Sequence, residues 1–331
     1  MIRKAVPRAI MLAAAAVTLA GCHFANVPAA SSTPSPASSP ASSPAAGTAA
    51  GAGFPVALSA ANGRVTINSR PVRIVSLSAS LTEDLYAVGA GPQVVAVDQG
   101  SDYPPGVPVT TLSGRTPDIA AIAKYSPDLV ISYQDVNGLA SGLAKRGIPV
   151  LIEPPAATLN DAYAEIDQIG RATGHYAQAE QTVASMKSQI AATVQKAGSS
   201  HPGLSYYWEL TANPYYSVTS STFIGQIVGL FGLKDIADSA NLASDGGYPQ
   251  LTPQYIITAR PKIIFLTDNQ ATDGGQTPAV VAARPGWSAI PAVKDHLVIG
   301  LNDDIASRWG PRLPQLVAEI AQAVERASGS G

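Results

Sequence analysis

Four histidines and one cysteine are the imidazole and thiolate donors that this 331-residue chain offers a transition metal, and their spacing builds no cage. His23 follows Cys22 in a stretch rich in Ala, Ser and Pro, while His175, His201 and His296 stand at predicted turns and read as solvated surface. Covalent catalysis lacks its parts as well. There is no Gly-x-Ser-x-Gly elbow, Walker sequence, His-Glu-x-x-His or Cys-x-x-Cys, and Gly89-Ala90-Gly91 lacks the third glycine of a dinucleotide fingerprint. A Ser-His-Asp hydrolase would need a histidine beside an exposed serine at a strand end, and none is so placed. What remains is recognition. Tyr103 and Tyr133 follow predicted strands, and Tyr215, Tyr216 and Tyr248 lie in predicted loops, each offering a flat apolar face with a polar tip that suits a large planar ligand. Asp304 and Arg308 are four residues apart, a spacing that permits an ion pair on a helix, although Arg308-Trp309-Gly310-Pro311-Arg312 reads as a turn.

The elements that must position these residues follow from periodicity. Phe54 to Asn68 predicts a β-hairpin, with Val56, Leu58, Val65 and Ile67 alternating around Ala61-Asn62-Gly63. Short apolar runs at 72–77, 94–97, 129–132 and 150–152 then alternate with helical stretches at 81–88, 118–124 and 139–145, the pattern of an α/β unit with a parallel sheet. From Leu159 to Ala197 there is no strand signal. Gly170 and Gly174 interrupt its first part, and Ala179, Val183, Met186, Ile190 and Val194 predict a long amphipathic helix over about 176–196. The α/β pattern restarts with strands at 204–210, 263–267 and 297–300 and helices at 223–231 and 313–326. The fold class is therefore α/β: two similar lobes joined by a single long α-helix, with binding residues beyond the carboxyl ends of the strands.

Composition bounds the setting. Only 13% of residues are charged and the formal net charge is −2, so nothing attracts a nucleic acid backbone strongly. Arg3, Lys4 and Arg8 precede the apolar run Ala9 to Ala20, which is too short for a membrane span of roughly 20 residues and reads as an export signal. It ends in Leu19-Ala20-Gly21-Cys22, which looks like the lipobox of bacterial lipoproteins, with Cys22 as the lipidated residue. Acyl chains at about 0.8 kcal/mol per buried methylene would hold the mature protein on the outer face of a membrane. Between Ala25 and Gly53 the chain is almost entirely Ala, Ser, Pro, Thr and Gly, a tether that cannot pack a core. The expected organisation is a signal peptide over 1–21, the tether over 22–53, an N-terminal lobe over 54–158, a connecting helical segment over 159–198 and a C-terminal lobe over 199–331.

Several segments together resemble the helical-backbone class of substrate-binding proteins of ABC importers, the family of vitamin B12 and ferric siderophore receptors. They run from Arg73 through Ser76-Leu77-Ser78-Ala79-Ser80-Leu81-Thr82-Glu83, Ser101-Asp102-Tyr103-Pro104, Ser126-Pro127-Asp128-Leu129-Val130 and Gly147-Ile148-Pro149-Val150. In the second half come Ser221-Thr222-Phe223-Ile224-Gly225, Gly247-Tyr248-Pro249-Gln250, Arg260-Pro261 and Pro285-Gly286-Trp287. The resemblance implies two Rossmann-like lobes, a rigid connecting helix, and a ligand cleft between the lobes with limited hinge motion. It places Tyr103, Tyr133 and Tyr248 where B12-binding relatives set aromatic residues against the corrin, and matches Asp304 and Arg308 to their cleft pair. Where B12 receptors carry a tryptophan, this chain has Gly114 and offers Arg115, a guanidinium that favours the anionic groups of a ferric siderophore or haem. The glutamates with which relatives dock a permease correspond to Ala120 and Gln254; Asp118 could substitute on the first lobe. The expectation is a lipid-anchored, extracytoplasmic, non-enzymatic protein with no cofactor of its own. It would bind a corrinoid or an iron chelate through Tyr103, Arg115, Tyr133, Tyr216, Tyr248, Asp304 and Arg308, with a permease docked atypically. The rival is a non-transport envelope interaction or sensor module on the same fold.

Overall fold

The computed structural model describes residues 53–269 and 275–329, which form one compact unit. The expected export signal, Cys22 and nearly all of the tether lie outside the described residues.

The chain enters through the hairpin β1 (Val56–Ala60) and β2 (Gly63–Ile67), paired antiparallel with Val56 opposite Ile67. Gly63 at φ +99° supplies the turn conformation that the Asn-Gly pair promised. The hairpin tip also closes a sheet edge: Asn62 donates to the Val150 carbonyl and accepts from the Ile152 amide, pairing groups an edge strand would otherwise expose.

The first lobe follows as β3 (Ile74–Leu77), α1 (Ala79–Ala87), β4 (Val94–Val97), α2 (Ile119–Ala123), β5 (Leu129–Ser132), α3 (Leu139–Ala144) and β6 (Val150–Ile152). Two helices connect the lobes, α4 (Leu159–Thr173) and α5 (Tyr176–Ala197). The second lobe runs β7 (Ser205–Glu209), β8 (Thr211–Ala212), β9 (Tyr215–Tyr216), α6 (Phe223–Gly229), β10 (Lys234–Asp235), β11 (Gln250–Leu251), α7 (Pro253–Ala259), β12 (Ile263–Leu266), α8 (Pro278–Ala282), α9 (Pro291–Lys294), β13 (Val298–Gly300), α10 (Asp303–Ser307) and α11 (Leu313–Gly329).

Both lobes carry a four-stranded, all-parallel sheet, ordered β4-β3-β5-β6 and β10-β7-β12-β13. In each the first strand lies between the second and third, so both have a topological switch point, at β3/β5 and at β7/β12. β3, β5, β6 and β12 are buried at every residue, as parallel strands covered on both faces must be. The period of two sorts their side chains. Ile74, Leu129, Ile131, Trp208, Ile263 and Phe265 join a core shared with α1, α4, α5, α6 and α11, while Val75 and Val130 face an outer layer of α2 and α3. On the second lobe Tyr207, Ile264 and Leu266 pack against Ile256, Val281 and Trp287. One apolar core thus runs through both lobes beneath the connecting helices.

The helix expected over 176–196 is α5, and its buried stripe is Ala179, Val183, Met186 and Ile190. Gly174 at φ +78° ends α4. Gly170 does not interrupt: it lies within α4 and lets α5 come close, since a Cβ there would stand 2.4 Å from that of Ala179. α4 starts on a reciprocal capping box, Thr158 with Asp161.

Candidate functional site

The carboxyl ends of the strands at the second switch point surround a cavity of about 370 Å³. Leu210 and Thr211 after β7, Thr267 after β12, Ile224 of α6, and Asp303 and Ser307 of α10 line it. Sequence reasoning did not single these residues out, although Thr211 and Thr267 stand at the ends of predicted strands, where ligands bind in open α/β sheets. A larger groove of about 630 Å³ runs along α5 between Tyr163, Ile190, Val194 and Leu230. It touches no strand end and shares no residue with the predicted site.

The first lobe contributes the loop from Asp98 to Tyr103. Thr82 Oγ1, Ser76 Oγ, Ser101 Oγ and Asp98 Oδ1 form a buried hydroxyl chain that fixes it to α1. Burial pushes the Asp98 carboxyl up, opposed by the Ser101 hydroxyl, a backbone amide and the Arg308 charge. Tyr103 is exposed, and the Arg312 guanidinium lies 4.2 Å from its ring centre, a cation–π contact. Tyr133 follows β5, and its hydroxyl accepts a hydrogen bond from Gln134 Nε2 at 2.8 Å. Its ring covers Gly114, where a Cβ would stand 2.0 Å from the Leu77 carbonyl oxygen. No side chain fits at that position. Arg115, next along, is exposed.

On the second lobe Tyr216 and Tyr248 are the exposed aromatics, at 39% and 47%. Tyr215 is turned inward, its ring 5.7 Å from Trp287 and capped by the Arg284 guanidinium. Asp304 lies in the first turn of α10, and Arg308 is its C-cap. They form the i, i+4 ion pair, but Arg308 also reaches Glu83 Oε1 at 2.9 Å and Asp102 Oδ1 at 2.8 Å on the other lobe. Arg312 holds both oxygens of the same Glu83. The turn at 308–312 is thus a seam between the lobes. Sequence reasoning did not single out three residues of the seam, Glu83, Asp102 and Arg312; each stands in a recognisable segment, but nothing local pairs Glu83 and Asp102 with the far end of the chain. Burial pulls Arg308 down, yet the hydrogen bonds to Glu83 and Asp102 and the Asp304 charge outweigh it and its pKa rises. Asp304 moves up through burial, against the pull of Arg308.

Sequence, sheet order and strand-end cavity converge on one family, and the sequence matches the periplasmic binding protein family over residues 74–305. The chain belongs to that family. Its members are solute-binding proteins, not enzymes. This binding protein is 32% identical over 280 residues to the uncharacterized ABC transporter substrate-binding lipoprotein YvrC of Bacillus subtilis, covering 82% of this chain and 86% of that one. It is 28% identical over 279 residues to a cobalamin-binding protein of Halobacterium salinarum, covering 82% and 74%. Among solved structures, the vitamin B12 binding protein BtuF of Vibrio cholerae superposes with a TM-score of 0.65 at 22% identity, over 78% of this chain and 98% of that one. The heme-binding protein RhuT from Roseiflexus sp. RS-1 gives 0.66 at 23% identity, over 77% and 98%. These structures share the fold.

The remaining predicted positions can be placed on this binding protein. Ala120 and Gln254 are exposed on α2 and α7, helices that precede the third strand of each sheet. Asp118 is the N-cap of α2, and its Oδ1 accepts from the amides of Ala120 and Ala121. Of the histidines, His175 bonds Arg70 and Gln93, and His201 bonds the Phe231 carbonyl; both pin local structure instead of standing solvated. Among the described residues no cluster of three or more His, Cys, Asp or Glu side chains could hold a metal, and no helix is long and apolar enough to cross a membrane.

Proposed function

We propose that this protein is the lipid-anchored, extracytoplasmic receptor of an ABC importer and that its cargo is a corrinoid. One observation carries the choice of cargo. At the seam, two guanidinium groups, Arg308 and Arg312, are spent on three carboxylates, Glu83, Asp102 and Asp304. That wall has no spare cation for the carboxylates of a haem or an anionic siderophore, but it suits a ligand that is neutral or carries positive charge on its metal. Tyr103, Tyr133, Tyr216 and Tyr248 supply the aromatic surface that a large planar ring needs. The cobalamin-binding protein of Halobacterium salinarum, similar over most of its length, supports the reading. YvrC, named a lipoprotein, supports lipidation at Cys22, which the motif Leu19-Ala20-Gly21-Cys22 already indicates.

A second reading is an anionic iron chelate, favoured by Arg115, an exposed residue next in sequence to Gly114, over which the Tyr133 ring lies. Calorimetric titration of the full chain with cyanocobalamin, cobinamide, haem and a ferric siderophore separates them. Tight binding of the corrinoids alone is the expected result. Preference for haem or siderophore, lost in Arg115→Ala, replaces the corrinoid with the anionic chelate. No binding to any of the four, with a folded circular dichroism spectrum, moves the protein to the envelope interaction module.

A further inference from the structure

Directly behind the seam lie two carboxyl groups that the binding site does not use. Asp84 of α1 is fully buried, and neither of its oxygens receives a hydrogen bond from an N–H or hydroxyl donor. The group that faces it is the carboxyl of Glu165 on α4, itself buried, which accepts from Trp309 Nε1 at 3.1 and 3.3 Å. Every other charged neighbour has been spoken for or is of the wrong sign. From α1 comes Glu83, occupied by Arg308 and Arg312; from the end of β6 comes Glu153, bonded to Gln168. Two ionised carboxylates facing each other without a cation in a buried site are not tolerated. A single retained proton, shared as an O–H···O bond, satisfies both. Burial pushes both carboxyls well above their ordinary range, and the neighbouring acids add to it.

We infer that Asp84 and Glu165 hold one proton between them beneath the segment Arg308–Arg312, and that this proton seats the segment and so positions Arg308 at the ligand cleft. The geometry of contact is direct. Trp309 rests on Glu165, and the backbone of Gly310 lies over Asp84, where a Cβ would stand 3.4 Å from Oδ1. On either side of these two residues, Arg308 and Arg312 tie the lobes together. Loss of the proton puts a second negative charge under the middle of the turn, where Trp309 Nε1 has one N–H to give. The turn lifts, and the ion pairs at its two ends loosen together. Asp84 and Glu165 are positioning residues, acting through Trp309 and Gly310. The consequence for ligand rests on the corrinoid reading; the proton and the movement do not.

The test is a pH titration of Trp309 emission in the ligand-free full chain, obtained as the difference between wild type and Trp309→Phe, since Trp208 and Trp287 are buried elsewhere. We expect one transition with its midpoint well above the ordinary carboxylate range, absent from Glu165→Gln and Asp84→Asn and retained in Glu153→Gln. Either isosteric variant suffices if the other fails to fold. A wild type without the transition, or a Glu165→Gln protein that keeps it unchanged, overturns the inference. Cyanocobalamin affinity should fall across the same pH range in wild type and stay level in Glu165→Gln. A level wild-type affinity overturns the positioning role. Absence of cyanocobalamin binding at every pH sinks the corrinoid reading, and the Trp309 titration then decides the inference by itself.

Discussion

Arg312 holds Glu83 through two hydrogen bonds, Nε to Oε2 at 2.7 Å and Nη2 to Oε1 at 2.5 Å, across 229 residues of sequence and the boundary between the lobes. The Glu83 side chain is 1% exposed and is shared with Arg308. Removing its charge would leave two largely buried guanidinium groups facing each other, and breaking a buried pair from one side costs about 3–5 kcal/mol. Glu83→Gln is therefore expected to lower unfolding free energy by that order in a urea titration. Arg312→Met should cost less, because Arg308 still neutralises Glu83. The double variant should lose less than the sum of the two. Additive losses would mean that the two residues do not act as a pair.

Stability should fall as pH rises toward neutrality. Burial raises Glu153, Asp235 and Asp268 to about 7, so in the folded chain they keep protons that the unfolded chain has released. Between the ordinary carboxylate range and about pH 7 the native state binds more protons, which makes the slope of stability against pH negative. Below that range both states are protonated and these groups contribute no penalty. For Glu153, a rise from 4.5 to about 7 corresponds to at most about 3 kcal/mol. Thermal unfolding should thus give a higher Tm near pH 5 than near pH 8, at values set by this linkage, and Glu153→Gln should flatten the difference. A Tm that climbs through this window would contradict the assignment.

How much of this was legible depended on the range of the interaction. Strands β3, β5 and β12 announce themselves as apolar runs, the Asn62-Gly63 turn as a hairpin, and the stripe from Ala179 to Ile190 as a helix, because each is a local pattern imposed by backbone geometry. Tyr248 was readable as a loop tyrosine, and its ring is exposed. The seam was not. Glu83 meets Arg312, Asp102 meets Arg308, and Glu165 meets Trp309 only after the last helix folds back on the first lobe. Asp84 looks like an ordinary solvated acid in Thr82-Glu83-Asp84, and only burial under Gly310 reveals otherwise. Tyr215 and Tyr216 show the same limit at one-residue resolution: identical neighbours in sequence, they point to opposite sides of a two-residue strand.

Gly114 should tolerate no replacement. A methyl group there would sit 2.0 Å from the Leu77 carbonyl oxygen and 3.1 Å from the Tyr133 ring, and neither the central strand β3 nor a ring tied to Gln134 can yield cheaply. Overpacking of this kind costs about 1–3 kcal/mol. Gly114→Ala should therefore show that loss in denaturant and weaken ligand binding through a displaced Tyr133. Tyr133→Ala should weaken binding without the same loss of stability, since it removes the ring and leaves the backbone alone. If Gly114→Ala binds and unfolds as wild type does, Leu77 and Gly114 are not in the close contact described.

Permease association is expected to depend little on salt. Asp118, beside the first-lobe position where the resemblance expects a docking glutamate, uses one oxygen to cap α2, and the position expected on the second lobe holds Gln254. A contact without opposed charges gains little from long-range attraction, so it is not screened when ionic strength rises. Asp118→Asn keeps the cap and should be near neutral in both stability and association, whereas Asp118→Ala should lose about 1 kcal/mol of stability through the cap alone. Co-purification of the lipidated protein with a permease at low and high salt measures the first expectation, and thermal unfolding the second. Association that collapses at high salt, or that Asp118→Asn abolishes while the fold stays intact, would show that this carboxylate is a docking charge after all.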